Sequence, residues 1–299
     1  MHRRHLLKLF AGLTLCPLCA STGFGEEAHY WTYEGTTGPG NWGGLDTANA
    51  TCSTGSQESP IDIVGSISAR LPPLNIQWRK RPDTIVNNGH TIQLNFAEGD
   101  TLNVGDRSYA LTQFHFHHPS EHLIDGKGFA MEAHFVHAAA DGGLAVVGVF
   151  MAPGRANAAF NKIVSTMPAE EGPSVPADPA IDPNGLLPTR RAYYRYAGSL
   201  TTPPCSETVD WLVLADPIEV SEADITRFAG SNALGSMAGS AAAGGASSPG
   251  IVATILAKTA LAAPGTINTP TTATSPSAAA WTKCASMAKR WPATRCSLG

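Results

Sequence analysis

Two short runs with alternating histidines constrain the fold of this chain more than any other feature. The first run, Gln113–His117, reads Gln-Phe-His-Phe-His, and the second, Glu132–Val136, reads Glu-Ala-His-Phe-Val. Side chains of a β-strand point alternately to its two faces, so His115 and His117 share a face that the intervening phenylalanine does not. If the two runs pair as neighbouring antiparallel strands, His115, His117 and His134 converge on one point.

A catalytic metal site is the chemistry that this pattern favours. Three neutral imidazoles with a fourth position left open form the ligand set of a catalytic zinc ion, and neither run contains cysteine, which argues against a closed structural site. Gln113 and Glu132 lie on the histidine faces, where metal-bound histidines find acceptors for their second ring N–H. A loose His-rich metal-binding surface is the alternative. The other histidines that we interpret as ordinary surface or second-layer residues are His29, His118, His122 and His137.

The N-terminal sequence indicates export. A basic start followed by a short apolar run predicts a signal peptide over residues 1–25, and Arg3-Arg4 resembles the pair in a twin-arginine signal. The apolar run is too short to span a bilayer, and no later segment qualifies, so we expect no stable membrane anchor. We therefore predict a periplasmic or secreted protein. Cys52 and Cys205 are the cysteines of its main body, and we predict that they form a disulfide, with two unpaired thiols as the alternative.

Charge and composition divide the remaining chain into two parts. Residues 26–230 contain all 24 Asp and Glu residues but only 12 Lys and Arg residues, a net charge of −12 that disfavours nucleic acid and anionic membranes. Of the 50 residues from Ser231 to Ala280, 39 are Ala, Gly, Ser, Thr or Pro. Such a stretch buries too little apolar surface to offset the entropy of ordering it. We interpret residues 231–299 as a low-complexity tail that is disordered or non-native.

Short strands separated by turns are predicted for most of the body. Asn87-Asn88-Gly89 and Asp141-Gly142-Gly143 are turn signals, and apolar residues at helical spacing predict a helix over Ala156–Met167. A second helix is expected to begin at Ser221, which suits an N-cap. The predicted strands are Thr84–Asn87, Thr91–Phe96, Ser108–His117, Ala130–His137, Ala145–Met151, Ala192–Tyr196 and Val209–Leu214.

The histidine runs and their flanks closely resemble the α-class carbonic anhydrases. The resemblance covers roughly Tyr30 to Phe228 and implies one domain over residues 26–230. Its fold would be mostly β, with a twisted, mainly antiparallel central sheet and a few short peripheral helices. The motifs that carry the resemblance, besides the histidine runs, are Trp31-x-Tyr33-x-Gly35, Gly38-Pro39 with Trp42, Ser59-Pro60-Ile61-Asp62-Ile63, Asn87-Asn88-Gly89-His90, and Ser199-Leu200-Thr201-Thr202-Pro203-Pro204 ahead of Trp211.

This resemblance implies an enzyme that reversibly hydrates carbon dioxide to bicarbonate and a proton. Attack by a zinc-bound hydroxide is the implied chemistry, with Zn²⁺ as the cofactor and carbon dioxide and bicarbonate as the small-molecule partners. The implied roles are zinc ligation by His115, His117 and His134, support of ligands by Gln113 and Glu132, orientation of the nucleophile by Thr201 and Glu121, and proton transfer by His90. An apolar substrate pocket would be lined by Val136, Val146, Leu200, Thr202 and Trp211, and ordered cavity water would contact Tyr33 and Asn88.

One departure from the family weakens the resemblance. The family continues after the helix near Ser221 into an Asn-Arg-Pro-x-Gln segment and closing strands, and no such motif occurs here. We therefore expect an uncovered sheet edge and no assigned acceptor for the second ring N–H of His117. The alternatives are a catalytically impaired carbonic-anhydrase-like protein and a cupin-type metal-binding protein, suggested by His-x-His-x3-Glu. The cupin pattern lacks support because Tyr109 replaces the expected glycine and no histidine follows His137.

Overall fold

The structure, a computed structural model, describes residues 31–231 and is built mainly from strands. The strands are β1 (Asp62–Ile63), β2 (Leu74–Gln77), β3 (Thr84–Asn87), β4 (Ile92–Asn95), β5 (Thr101–Val104), β6 (Arg107–His117), β7 (Leu123–Ile124), β8 (Met131–Ala138), β9 (Leu144–Pro153), β10 (Val175–Pro176), β11 (Tyr193–Gly198) and β12 (Val209–Val220). The α-helices are α1 (Trp42–Leu45), α2 (Thr51–Thr54), α3 (Ala158–Thr166) and α4 (Glu222–Ala229). Short 3₁₀ turns cover Gly35–Thr37, Pro39–Asn41, Thr47–Asn49 and Pro183–Leu186.

One large sheet organises the described residues. Its strand order is β10-β3-β4-β6-β8-β9-β12-β11. The first residues of β6, from Arg107 to Ala110, pair with β5, which in turn pairs with β2. Neighbours are antiparallel except for β9 and β12, which are parallel. A separate parallel pair joins β1 to β7. The prediction of a mostly β fold with a mainly antiparallel sheet and few short helices is confirmed.

The central strand β6 has one apolar face, which packs into the core, and one polar face. Phe114 and Phe116 are completely buried on one face, where Phe114 contacts Phe135 with ring centroids 4.9 Å apart. Phe116 contacts Phe228 of α4 with centroids 5.5 Å apart. The opposite face therefore carries the histidines, as the alternation of the sequence predicts.

Both helices expected from the sequence are present. The Asn157 side chain caps α3 by accepting a hydrogen bond from the Phe160 N–H, and Ser221 caps α4 by accepting one from Asp224 N–H. The apolar face of α3 buries Phe160, Ile163 and Val164 against the sheet, which is why the predicted spacing identified it. The helix is shorter than the predicted Ala156–Met167, because its cap lies at Asn157.

Several elements were not predicted. The short helical turns between residues 35 and 54 lie in a segment rich in Gly, Thr and Asn, in which no apolar periodicity is visible. The strands β1, β2, β5, β7 and β10 are only two to four residues long and carry too few alternating positions to be recognised.

The strand order of the described residues ends at β10 on one side and at β11 on the other, and whether residues after 231 cover either edge stays a prediction. Within residues 31–231, β11 pairs only with β12 and ends the strand order. The predicted signal peptide and all of the predicted tail except Ser231 lie outside the described residues. Among residues 31–231 no helix is long and apolar enough to cross a membrane.

Candidate metal centre

Three histidine side chains converge where β6 and β8 pair. The antiparallel register places His115 opposite His134 and His117 opposite Glu132, so all four side chains project from the same face. The ring centroid of His117 lies 4.9 Å from that of His115 and 4.4 Å from that of His134. One ligand nitrogen from each of the three rings lies within 4.8 Å of the others. The predicted convergence is thus observed.

Each ring has one nitrogen directed to a neighbour and one left for a shared ligand. His115 Nδ1 hydrogen-bonds Gln113 Oε1 at 2.8 Å. His134 Nε2 lies 3.1 Å from Glu132 Oε1, and His117 Nδ1 lies 3.2 Å from Glu121 Oε1, although neither pair has the alignment of a full hydrogen bond. The nitrogens that remain are Nε2 of His115, Nε2 of His117 and Nδ1 of His134.

The donor set fits a divalent zinc ion. His117 Nε2 is completely buried and has no hydrogen-bond partner, which is costly unless a cation accepts its lone pair. Burial, reinforced by the neighbouring imidazoles, holds the pKa of His115 well below its ordinary value, and burial likewise lowers the pKa of His134. Burial alone would lower the pKa of His117 too, but the Glu121 carboxylate raises it overall. Two of the rings are therefore held in the neutral form that a metal requires.

The sequence left the second ring N–H of His117 without an assigned acceptor. In the structure, the Glu121 carboxylate lies nearest to that nitrogen. Burial would raise the pKa of this carboxyl group, but His117, His134 and a hydrogen bond from Thr201 together lower it below its ordinary value. Glu121 is thus an ionised carboxylate that lies 3.2 Å from a ring nitrogen of His117 and beside the hydroxyl of Thr201.

A series of buried hydrogen bonds behind His134 was not predicted from the sequence. Glu132 is completely buried and accepts hydrogen bonds from the His122 N–H at 3.0 Å and from the Glu121 N–H at 3.1 Å. His122 Nδ1 lies 2.8 Å from Glu132 Oε1, and its Nε2 lies 2.6 Å from Tyr196 Oη. These hydrogen bonds therefore hold the Glu132 carboxylate, which faces His134 Nε2. His122 is a second-layer residue, as interpreted, but its place in this series of hydrogen bonds depends on Tyr196, which is 74 residues away.

The hydrogen-bonded residues behind His134 also have the composition of a metal site, because ligand atoms of His122, Glu132 and His134 lie within 4.8 Å of one another. Both nitrogens of His122 already have partners, whereas the centre formed by His115, His117 and His134 leaves a nitrogen of each ring available. The latter is the better candidate.

An apolar wall borders the metal centre. Val146 and Trp211 are 2% exposed and belong to one apolar cluster, against which the half-buried Val136 and Leu200 pack. The Trp211 ring centroid lies 4.8 Å from that of His134. Thr202 is half-buried in the adjoining loop and accepts a hydrogen bond from the Cys205 N–H. These residues include all five predicted for the substrate pocket.

His90 lies in an aromatic surrounding. Its ring stacks on Trp31 with centroids 3.8 Å apart and planes 10° apart, and Tyr33 approaches it edge-on at 6.2 Å. The Asn88 side chain accepts a hydrogen bond from the His90 N–H at 3.0 Å, which fixes the turn. Burial lowers the pKa of His90, while the Glu171 carboxylate opposes that shift. Tyr33 is 5% exposed, and burial raises the pKa of its hydroxyl.

The loop that follows Thr201 is tethered to the N-terminal segment. Cys52 and Cys205 form a disulfide with a Cα–Cα distance of 5.1 Å. The Glu207 carboxylate also accepts hydrogen bonds from the N–H groups of Ser56 and Gln57. The disulfide predicted from the cysteine pattern is therefore present.

The fold and the site together define a class of protein. A sheet that brings three histidines together beside an apolar wall has the residues of a catalytic metal centre. The family model for eukaryotic-type carbonic anhydrase matches residues 37–237. The chain belongs to this family, and its activity is that of a carbonic anhydrase, the hydration of carbon dioxide.

Known proteins support this assignment. The carbonic anhydrase of Neisseria gonorrhoeae is 42% identical over 221 residues, covering 72% of this chain and 87% of that protein. The α-carbonic anhydrase of Thermovibrio ammonificans, solved with the inhibitor sulfanilamide, is 41% identical with a TM-score of 0.67, covering 69% of this chain and 92% of that chain. Dioscorin, solved in complex with ascorbate, is 30% identical with a TM-score of 0.64, covering 69% of this chain and 91% of that chain. The same fold therefore occurs in a protein that was solved with a different kind of ligand, ascorbate. Because a fold alone does not determine function, the finer mechanism must be argued from individual residues.

Proposed function

We propose that this carbonic anhydrase uses one zinc ion held by His115, His117 and His134. The observation that carries the proposal is the convergence of three buried or half-buried imidazoles whose other nitrogens face Gln113, Glu121 and Glu132. Zinc bound by three neutral ligands strongly acidifies a bound water, a chemistry for which carbonic anhydrases are the standard case. The ring partners would fix the tautomer and orientation of each ligand.

Thr201 and Glu121 would orient the attacking oxygen. The ionised Glu121 would accept the hydrogen bond of the Thr201 hydroxyl, which would leave the Thr201 oxygen to accept a proton from the nucleophile. This arrangement would point a lone pair of the nucleophile at the substrate carbon. The gain is one of orientation rather than of metal affinity.

The apolar wall would hold the substrate. Carbon dioxide is neutral and linear, and the wall formed by Val136, Val146, Leu200 and Trp211 offers it contact without hydrogen bonds. Thr202 would contribute a polar rim on the same loop as Thr201. Bicarbonate, which is charged, is poorly matched to this wall and is expected to leave.

His90 would export the proton that hydration releases. Its imidazole can take up and release a proton, and it lies on a turn, stacked on Trp31, rather than among the ligands. Tyr33 and Asn88 would hold ordered water on the path from the metal centre. A disulfide suits an oxidising compartment, and with the predicted signal peptide it supports a periplasmic or secreted location.

The function is tested with the full chain by measuring zinc content and carbon dioxide hydration on the same samples. His134→Ala is expected to lose stoichiometric zinc and to hydrate no faster than the zinc-free parent protein. His118→Ala is the matched control, because within residues 31–231 the His118 ring bonds the Ala130 carbonyl and is not one of the converging rings. Full zinc in His134→Ala would refute the ligand assignment, and an inactive, fully zinc-loaded parent would favour the catalytically impaired alternative.

A further inference from the structure

A single hydroxyl group lies against the backbone between two of the candidate zinc ligands. Thr91 is 6% exposed, and its Oγ1 donates a hydrogen bond to the Phe116 carbonyl at 2.6 Å. The same oxygen accepts a hydrogen bond from the Phe116 N–H at 3.2 Å. The Ile92 carbonyl, at 3.4 Å, is a more distant acceptor for the same hydrogen. Phe116 separates His115 from His117, so this hydroxyl contacts the strand between them.

The hydroxyl replaces a missing pair of strand hydrogen bonds. The ladder between β4 and β6 pairs Asn95 with Gln113 and ends where Gln93 faces His115. Continued for one residue, this register would set Ile92 opposite Phe116, but β6 runs on without that partner. A threonine hydroxyl both donates and accepts, so it can satisfy the two backbone groups that a strand neighbour would otherwise satisfy. Phe116 is completely buried, and an unsatisfied backbone group there would be costly.

Thr91 also belongs to the turn that carries His90. The Asn88 Oδ1 accepts hydrogen bonds from the N–H groups of both His90 and Thr91, at 3.0 and 2.9 Å. The Asn88 N–H donates to the Thr91 carbonyl at 3.2 Å. The turn is therefore closed on itself, and the Thr91 hydroxyl is its direct connection to the ligand strand.

We propose that Thr91 is a positioning residue that fixes the backbone between His115 and His117 and so sets the geometry and affinity of the metal centre. The proposal rests on the proposed function, since it assumes that these histidines bind zinc. Without the hydroxyl, the end of β6 would lose its lateral anchor on the β4 side, and the two rings would no longer be held at a fixed separation. Partners that orient metal ligands typically contribute about 10-fold to 100-fold to metal affinity.

The test compares Thr91→Val, which removes the hydroxyl at nearly constant volume, with Thr91→Ser, which retains it. Thr112→Val is the matched control, because the Thr112 hydroxyl on the same strand bonds the Val136 carbonyl and does not lie between ligands. Zinc affinity is measured by competition with a chelator, and the visible absorption spectrum of the cobalt(II)-loaded protein reports ligand geometry. Thr91→Val is expected to bind zinc about 10-fold or more weakly, with an altered cobalt spectrum. Thr91→Ser and Thr112→Val are expected to match the parent protein.

Unchanged zinc affinity and an unchanged cobalt spectrum in a folded Thr91→Val protein would overturn the proposal. If Thr91→Val does not fold, Thr91→Ala removes the same hydroxyl without its bulk and takes its place in the comparison. Loss of folding in both would also overturn it, because the hydroxyl would then serve the whole fold rather than the metal centre. A parent protein that binds no zinc would instead refute the proposed function, so the two failures are distinguishable.

Discussion

At the scale of single residues, the stacking of His90 on Trp31 allows proton transfer to be separated from packing. His90→Phe keeps an aromatic ring for Trp31 but cannot carry a proton, whereas His90→Ala loses both. Both variants are expected to lower kcat by roughly 10-fold to 100-fold while leaving kcat/KM for carbon dioxide nearly unchanged. The reason is that proton export follows formation of the carbon–oxygen bond, so the two parameters report different steps.

Added imidazole buffer provides the decisive comparison for His90. It is expected to restore much of the kcat of His90→Ala by replacing the missing relay. If His90→Phe retains full kcat, or if both parameters fall together without rescue, His90 has a packing role and not a proton-transfer role. A stopped-flow hydration assay at several buffer concentrations measures both parameters.

The residues of the centre differ in how visible they are in the sequence. His115, His117 and His134 could be predicted because strand alternation places the first two on one face and antiparallel pairing of the two runs adds the third, and the observed register agrees. The roles of His122 and Tyr196 could not, because their hydrogen bond joins residues 74 positions apart and depends on the tertiary fold. The same holds for Thr91, whose partner Phe116 lies 25 residues away.

At the scale of secondary-structure elements, His137 ties β8 to β9 and makes the sheet sensitive to acid. The ring is completely buried, with Nδ1 at 3.3 Å from the Ala145 carbonyl, and Nε2 accepts a hydrogen bond from Trp78 Nε1. Only a neutral imidazole can donate at one nitrogen and accept at the other. Burial lowers the pKa of His137 to about 4 in the folded protein.

The consequence is a loss of stability as the pH falls. Between about pH 6.5 and about pH 4 the unfolded chain binds a proton at His137 that the folded protein does not, so the free energy of unfolding decreases with decreasing pH. Above this window His137 is neutral in both states and contributes no pH dependence. The expected contribution between about pH 7 and about pH 5 is roughly 2 kcal/mol.

His137→Gln isolates this contribution. Glutamine does not titrate, so the variant is expected to lose less stability than the parent between about pH 7 and about pH 5, by roughly 2 kcal/mol. Urea unfolding curves of both proteins at each pH give the difference, in which titration of the shared metal centre cancels. Parallel pH profiles of the two proteins would contradict the assignment.

Element boundaries followed the sequence only where local chemistry fixed them. The cap at Ser221 was predicted because its side chain accepts from the Asp224 N–H, an interaction visible three residues along the chain. The predicted strand Thr91–Phe96 was too long at its start, because Thr91 uses its hydroxyl rather than its backbone to contact β6. Short strands such as β2 and β5 become strands through mutual pairing, which no single segment reveals.

At the scale of the whole molecule, distant segments are joined around the loop that carries Thr201. Ser59 and Ser199 each accept, at Oγ, a hydrogen bond from the other's backbone N–H, at 3.1 and 2.9 Å. The disulfide between Cys52 and Cys205 lies beyond them along the same two segments. The resemblance to a family could supply this arrangement as an expectation, but the pairing of segments 140 residues apart is a property of the assembled fold.

The disulfide is expected to stabilise the fold without supporting the metal. It closes a loop with a sequence separation of 153, so replacing both Cys52 and Cys205 by Ser should lower the free energy of unfolding by roughly 2–5 kcal/mol. Zinc content should remain at the parent level, because the candidate ligands lie on β6 and β8 and not on the tethered segments.

Thermal melts with and without reductant provide the control, since reductant should lower the Tm of the parent but not of the double variant. Equal Tm values for the oxidised parent and the double variant would show that the hydrogen bonds of Ser59, Ser199 and Glu207 hold the loop without the disulfide. Loss of zinc from a folded double variant would show instead that the tether reaches the metal centre through the Thr201 loop.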